Sequence, residues 1–211
     1  MIQGLIGKKI GMSQVFAEDG AVIPVTVLQA GPCVIVQKKI KEHNERLKVQ
    51  LGLVENRRLK HVTKPLLGCF KKANVPPTRI LREFQLDQDN VQVGETVKVD
   101  IFSEKEKVRV IGITKGKGFQ GVVKRYGYAG GRGSHGSMFH RRIGSSGSNT
   151  YPGEVIKGKG MPGRMGGARH TARGLEVVRV DSAANILLVK GAVPGHNGNY
   201  LLILKDSFGR S

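Results

Sequence analysis

Apolar and β-branched residues alternate with polar ones toward both ends of the chain, a pattern typical of β-strands. Residues 22–29 (VIPVTVLQ) and 33–40 (CVIVQKKI) flank an Ala-Gly-Pro triplet, which predicts a hairpin or meander. Further strands are predicted at residues 47–54, 97–101, 107–114, 175–180, 186–190 and 200–204. A helix is predicted from Thr63, as its capping residue, to about Ala73, ahead of two consecutive prolines. The two ends of the chain are therefore expected to form a β-rich body.

Residues 113–174 differ sharply in composition from the rest of the chain. They contain 17 Gly, 12 Lys and Arg, and one acidic residue, Glu154. The whole chain has a formal net charge of +19, so more than half of the excess lies in under a third of its length. A segment with so few large aliphatic residues cannot bury enough apolar surface to fold alone. We therefore expect a long irregular extension ordered by a polyanion, with nucleic acid the strongest candidate because phosphate contacts release counterions.

The glycines at 116, 118 and 121 form a GxGxxG pattern, which on its own is compatible with a nucleotide-binding enzyme. A dinucleotide fold needs a helix after the third glycine and an acidic residue about 20 positions later. Residues 122–131 (VVKRYGYAGG) are poor for a helix, and residues 139–142 are basic. The pattern instead favours close approach of the backbone to phosphates. A nucleotide-dependent enzyme remains one rival hypothesis, and a free-standing nucleic-acid chaperone is another.

The polar and aromatic side chains of this segment favour RNA binding over catalysis. Serines and histidines lie close together, but the Gly-x-Ser-x-Gly turn of a hydrolase is absent, and the histidine spacing does not predict a metal site. The aromatic residues either stack on unpaired bases or anchor the segment to the protein. These aromatic residues are Phe119, Tyr126, Tyr128, Phe139 and Tyr151. The predicted rRNA-binding residues are Lys115, Lys117, Lys124, Arg125, Arg132, His135, His140, Arg141, Arg142, Lys157, Lys159, Arg164, Arg169 and Arg173.

Several sequence blocks, in order along the whole chain, resemble those of one family. They are GKKIG at 7–11, EDG at 18–20, IPVT at 23–26, LREF at 81–84, TKGKGFQGVVKR at 114–125, SHG at 134–136, HR at 140–141, YPG at 151–153, KGKGMPGRMG at 157–166 and LLVKGAVP at 187–194. Together they resemble the bacterial large-subunit ribosomal protein family numbered three.

That resemblance implies both a fold and a role. The fold is mainly β: a closed Greek-key β-barrel of the translation-protein type (1–112 and 175–211), with a small α/β insertion near 45–95 and the basic loop extension at 113–174. The implied role is structural and not enzymatic, in the cytoplasmic ribosome. It includes binding of 23S rRNA near its 3′ end and help in nucleating subunit assembly. The implied neighbours are the large-subunit proteins numbered fourteen and nineteen, without cofactor, metal, small-molecule substrate or membrane.

The resemblance also places the tip of the extension near the peptidyl-transferase centre. The implied tip residues are Ser148, Asn149, Thr150 and Tyr151. Thr150 stands where some members of the family carry a methylated glutamine, so that modification is expected to be absent. Residues 170–175 (HTARGL) also depart from the family's usual pattern, and the arginine at 173 adds a cation suited to RNA.

Overall fold

The computed structural model describes residues 2–40, 47–55, 61–86 and 91–206. The chain divides into two compact units, one formed by Met1–Ile113 with Arg169–Ser211 and the other by Thr114–Ala168. We call them the body unit and the inserted unit.

The strands are β1 (Gly4–Phe16), β2 (Val22–Ala30), β3 (Cys33–Ile40), β4 (Leu47–Leu53), β5 (Leu81–Gln85), β6 (Thr96–Val97), β7 (Lys107–Ile113), β8 (Gly118–Gln120), β9 (Gly163–Met165), β10 (Arg169–Asp181), β11 (Ile186–Lys190) and β12 (Tyr200–Lys205). The helices are α1 (Lys64–Lys72) and α2 (Val122–Tyr126), and Val99–Ile101 forms a 3₁₀ turn. The prediction of a mainly β protein is confirmed.

Six strands of the body unit pair in a closed ring, in the order β1-β12-β7-β10-β11-β2. Each neighbouring pair is antiparallel, and β2 returns to β1 to close the ring. Alternate residues of each strand point to the same face, so one set fills the interior. The fully buried side chains inside include Leu5, Leu28, Val110, Leu187 and Ile203. This apolar core fixes the positions of β7 and β10, the strands that precede and follow the inserted unit in the sequence.

Gly7 is required where β1 lies between its paired neighbours β2 and β12. A Cβ atom at this position would lie 2.7 Å from the carbonyl oxygen of Gln29 and 2.8 Å from Cδ1 of Ile203. Both atoms belong to strands packed against β1, and neither can move without disturbing a strand pairing or the core. The absence of a side chain therefore allows β2 and β12 to approach β1 closely.

A second sheet in the body unit has the order β5-β4-β3-β6, and α1 packs beside it. The helix contributes Phe70, which is 2% exposed and packs with Val34 and Val36 of β3. Thr63 occupies the N-cap position as predicted, but its side chain makes no capping hydrogen bond. Packing of Phe70, rather than side-chain capping, therefore holds this short helix in place.

The predicted hairpin between residues 22–29 and 33–40 is wrong. The second strand, β3, pairs with β4 and β6, so it belongs to the second sheet and not to the barrel. Gly31, between the two strands, has a φ of +78° and donates its N–H to the carbonyl oxygen of Ile6 at 3.1 Å. A positive φ is easily adopted only by glycine, and here it turns the chain out of the barrel.

Two further differences concern short elements of the body unit. The strand predicted at 97–101 consists of only two paired residues, Thr96–Val97, followed by the 3₁₀ turn. The core requires the turn, because Val99 within it is fully buried. The strand predicted at 175–180 begins six residues earlier, since Arg169–Ala172 already pair with β7.

Candidate nucleic-acid interface

The inserted unit follows β7 and precedes β10, and its two ends are held together. The N–H of Thr114 donates to the carbonyl oxygen of Ala168 at 2.9 Å, and the N–H of Gly167 donates to that of Thr114 at 3.2 Å. Beyond this closure, β8 and β9 form an antiparallel pair. The expectation of a segment almost without regular structure is therefore wrong at its base, where strand pairing satisfies the backbone.

Residues 122–126, thought too poor for a helix, form the five-residue helix α2. Gly121 precedes the helix and accepts a hydrogen bond from the N–H of Arg125 at 3.0 Å, and Gly127 ends it with a φ of +74°. Burial of Val122, which is 1% exposed, favours the turn despite the weak sequence signal. The GxGxxG pattern nevertheless contains the antiparallel strand β8 and leads into the five-residue helix α2. That arrangement lacks the parallel βαβ unit that a dinucleotide site requires.

Arg125 and the two neighbouring tyrosines tie α2 to the backbone at residues 160–161, just before β9. The Nη1 atom of Arg125 donates to the carbonyl oxygen of Met161 at 2.6 Å, and its guanidinium lies 5.0 Å from the centre of the Tyr126 ring. The hydroxyl of Tyr128 donates to the carbonyl oxygen of Gly160 at 3.4 Å. A Cβ atom at Gly160 would lie 2.8 Å from the Tyr126 ring. Arg125 is thus half-buried and has a structural role that sequence reasoning did not assign to it.

Phe139 anchors the next part of the inserted unit. Its ring lies directly over Gly131 and Gly144, where a side chain would collide with it or crowd it. The backbone closes around the same residues, since Gly131 donates to the carbonyl oxygen of His140 at 2.6 Å and Arg142 donates to that of Phe139 at 3.0 Å. Of the two roles left open for the aromatic residues, anchoring therefore describes Phe139, Tyr126 and Tyr128.

Phe119 and Tyr151 differ from those anchors because their side chains are left free. Phe119 is 76% exposed and Tyr151 is 91% exposed. A ring exposed to this extent contributes little to folding and leaves much of its surface open to another flat group. These two residues are the ones that the structure leaves available for stacking on a nucleic-acid base.

The predicted tip residues are held by a local turn. Asn149 accepts a hydrogen bond at its Oδ1 atom from the N–H of Thr150 at 2.8 Å, and it forms a bridge with Pro152. Nearby, the hydroxyl of Ser145 donates to the carbonyl oxygen of Gly147 at 2.6 Å. All four predicted tip residues, from Ser148 to Tyr151, are exposed. The turn therefore presents polar groups and one aromatic ring outward.

Nine of the ten Lys and Arg side chains of the inserted unit are exposed, and none has a carboxylate partner among the described residues. All residues from 114 to 168 are described, and no ion pair joins any of their Lys or Arg side chains to an acid in the described part of the chain. Side chains classed as exposed are those of Lys115, Lys117, Lys124, Arg132, His135, His140, Arg141, Arg142, Lys157, Lys159 and Arg164. Ordinary protein surfaces intersperse both signs of charge. Ten cations with one acid in 55 residues instead create a strongly positive surface that attracts polyanions.

The body unit balances its charges differently. Its described ion pairs include Lys39–Glu83 at 2.6 Å and Lys205–Glu106 at 3.1 Å. The Lys39 ammonium, by donating a hydrogen bond, lowers the pKa of the Glu83 carboxyl below its usual value. The remaining two predicted site residues, Arg169 and Arg173, lie on β10 of this unit and are exposed. The predicted set is therefore divided between the two units.

Sequence reasoning missed a polar cluster around Tyr200 in the body unit. The Tyr200 hydroxyl lies 3.0 Å from both carboxylate oxygens of Glu55, and the ammonium of Lys8 is 3.5 Å from one of them. The cationic groups of Lys8 and Arg79 lie 5.7 and 5.9 Å from the ring centre. Burial, followed by the hydrogen bond to Glu55, raises the pKa of Tyr200. No local motif could reveal this cluster, because its members are up to 192 positions apart.

The described part of the chain contains no cluster of three or more His, Cys, Asp and Glu side chains that could hold a metal ion. None of the helices among these residues has the length and apolar character needed to cross a membrane. What the inserted unit can offer chemically is a dense set of cationic hydrogen-bond donors with two free aromatic rings. This combination suits phosphate oxygens and unstacked bases.

A mainly β body that carries a cationic, acid-poor insertion belongs to the class of proteins that bind folded nucleic acid through its phosphates. Comparison with known proteins agrees with that class. The family profile described as Ribosomal protein L3 matches residues 74–186. A relative from Solibacter usitatus, named large ribosomal subunit protein uL3, is 51% identical over 98% of this chain and 99% of its own length. Relatives of the same name from Geobacter sulfurreducens and Carboxydothermus hydrogenoformans are 51% and 50% identical, each over 98% of both chains. The chain belongs to the ribosomal protein L3 family.

Proposed function

We propose that this chain is a structural constituent of the large ribosomal subunit and binds 23S rRNA near its 3′ end. The relatives' names place them in that subunit, and identity near 50% over almost the full length supports the same role here. The protein acts in the cytoplasm, within the ribosome, and has no catalytic activity, cofactor or small-molecule substrate. Its barrel is of the Greek-key type found in translation proteins.

The observation that carries this proposal is the set of exposed, unpaired cations in the inserted unit. Within residues 113–174, these side chains neutralise phosphates where RNA helices crowd together, and counterion release drives binding. Recognition depends mainly on RNA shape and phosphate geometry, with little sequence specificity. Arg125 contributes through the fold of the unit as well as its charge, because it already binds the carbonyl oxygen of Met161.

The tip residues Ser148 to Tyr151 extend toward the peptidyl-transferase centre without taking part in its chemistry. Their exposure and the turn around Asn149 suit contact with RNA from several sides. The protein also helps to nucleate subunit assembly and touches neighbouring proteins, those numbered fourteen and nineteen. The barrel of the body unit rests on the rRNA surface, and Arg169 and Arg173 add contacts from β10.

Deletion of the inserted unit tests the proposal. Thr114 and Ala168 are hydrogen-bonded across the base, so residues 115–167 can be replaced by an Asn-Gly turn without separating β7 from β10. We expect the shortened chain to retain the thermal unfolding transition of the body and to lose incorporation into large subunits sedimented in high salt. The full-length chain provides the reference for both measurements.

Incorporation of the shortened chain at the level of the full-length chain would show that the inserted unit does not anchor the protein. If the shortened chain did not fold, a full-length variant with Lys115, Lys117 and Lys159 changed to Gln would replace it. These lysines are exposed and form no ion pair, so their neutralisation leaves the fold intact.

A further inference from the structure

The distal part of the hairpin formed by β1 and β2 extends beyond the residues that pair with β12 and β11 in the barrel. β12 pairs with β1 only at residues 4–8, and β11 pairs with β2 only at residues 25–29. From Gly11 to Phe16, β1 pairs with β2 on one side and, within the described residues, with no strand on the other. An open edge of this kind presents backbone N–H and carbonyl groups to which another strand can be added.

One face of this hairpin is apolar and exposed. The register places Phe16 opposite Val22, and Met12, four positions before Phe16 on β1, lies on the same face. Phe16 is 66% exposed, Val22 is 54% exposed and Met12 is 55% exposed. Pro24, opposite Gln14, is exposed on this face as well. Neighbouring apolar side chains in one patch are unusual on a monomer and mark a surface for a partner.

The charge of the hairpin argues against RNA as that partner. No Lys or Arg occurs between Lys9 and Lys38, although the chain carries 35 of them in 211 residues. The turn instead exposes two acids, Glu18 and Asp19, and the Asp19 carboxylate accepts a hydrogen bond from the N–H of Ala21 at 3.0 Å. Phosphates would be repelled by these carboxylates, whereas a basic protein segment would be attracted.

We propose that the distal hairpin, residues 10–24, is a docking surface for a neighbouring protein of the particle. Its occupant is an extended segment with apolar side chains that cover Met12, Phe16 and Val22, and with basic residues that face Glu18 and Asp19. The segment adds as a strand to the open edge of β1. The proposal rests on the proposed function only for placing the chain in a ribonucleoprotein, because the surface itself is defined by the hairpin.

Photo-crosslinking in the intact large subunit tests this assignment. A diazirine-bearing amino acid replaces Phe16 in one sample and Tyr151 in a second, and in a third it replaces Leu66, a 43% exposed apolar residue of α1. We expect the probe at 16 to give one protein adduct that survives nuclease and is destroyed by protease. The probe at 151 is expected to give an RNA adduct.

The possible results separate the two proposals. An adduct from position 16 to RNA or to a second copy of this chain, or a yield no higher than that from position 66, would overturn the docking surface. If position 151 still gave an RNA adduct, the proposed function would stand. A chain that entered no subunits and gave no RNA adduct from position 151 would contradict the proposed function and, with it, the docking surface.

A paired substitution tests the apolar face itself. With the probe moved to Met12, the double variant Phe16→Ser and Val22→Ser is expected to lower the protein adduct by about ten-fold, since exposed anchors at an interface centre carry most of the binding energy. Both positions are exposed, so the barrel keeps its thermal unfolding transition. Leu66→Ser is the matched control and is expected to leave the adduct unchanged. Equal adduct yields from the double variant and the control would refute the docking face.

Discussion

Replacement of Gly7 by alanine adds a single methyl group, which is predicted to destabilise the barrel. That group would meet the Gln29 carbonyl oxygen at 2.7 Å and the Cδ1 atom of Ile203 at 2.8 Å. Relief requires β2 or the core to move, and overpacking of this kind costs about 1–3 kcal/mol. For a domain of 150–250 residues each kcal/mol corresponds to roughly 2–4 °C, so the expected fall in melting temperature is about 2–12 °C.

Gly11→Ala is the matched control for this prediction, because it changes the same residue type in the same strand. A Cβ atom at Gly11 meets nothing within 4 Å. Alanine there is expected to be neutral or to stabilise the fold by about 0.5–1 kcal/mol, since it restricts the unfolded chain. Urea unfolding followed by circular dichroism measures both variants. Equal stability of the two variants would refute the close approach of β1 to its neighbours.

Three further predictions concern buried or tightly packed groups. Burial raises the pKa of the Cys33 thiol to about 12, so a thiol reagent at neutral pH should label the exposed Cys69 alone until the protein unfolds; rapid labelling of both would contradict this burial. The pKa of the Cys33 thiol is higher in the folded than in the unfolded state, so its contribution to the free energy of unfolding is fully present below pH 9. That contribution is lost as pH rises from 9 toward about 12. At pH 10 the parent protein should have lost about 1.4 kcal/mol of its free energy of unfolding, measured in urea, and Cys33→Ala should show no such loss. If stability fell with pH in the same way for both proteins, this prediction would be refuted. Gly160→Ala should speed proteolysis within 114–168 by displacing the Tyr126 ring, whereas Gly116→Ala, with open space around it, should not; equal cleavage rates would count against this packing.

Local pattern predicted the strands whose alternation is strong, and it failed where distant contacts decide the structure. β11 has the predicted bounds, and the helix α1 ends one residue early. β1 was missed because Gly4, Gly7 and Gly11 interrupt its alternation, although two of those glycines lie where neighbouring strands approach too closely for a side chain.

The site shows the same division between local and distant information. The density of cations in residues 113–174 is a property of composition, so the sequence alone revealed it. The contact of Arg125 with the carbonyl oxygen of Met161 joins residues 36 positions apart, and it separates a structural arginine from its free neighbours. Similarly, only the three-dimensional packing distinguishes Phe139, which lies over two glycines, from the free ring of Tyr151.

The unpaired cations of the inserted unit are proposed to bind rRNA phosphates. The most direct test is the salt dependence of binding to a fragment from the 3′ end of 23S rRNA. Changing Lys115, Lys117 and Lys159 to Gln should reduce the slope of log K against log salt by about 2–3, at roughly 0.7–0.9 for each lost phosphate contact. The same net charge change on α1, with Lys64, Lys71 and Lys72 changed to Gln, should leave the slope as it is. Equal reductions in the two variants would mean that overall charge, and not this surface, binds the RNA.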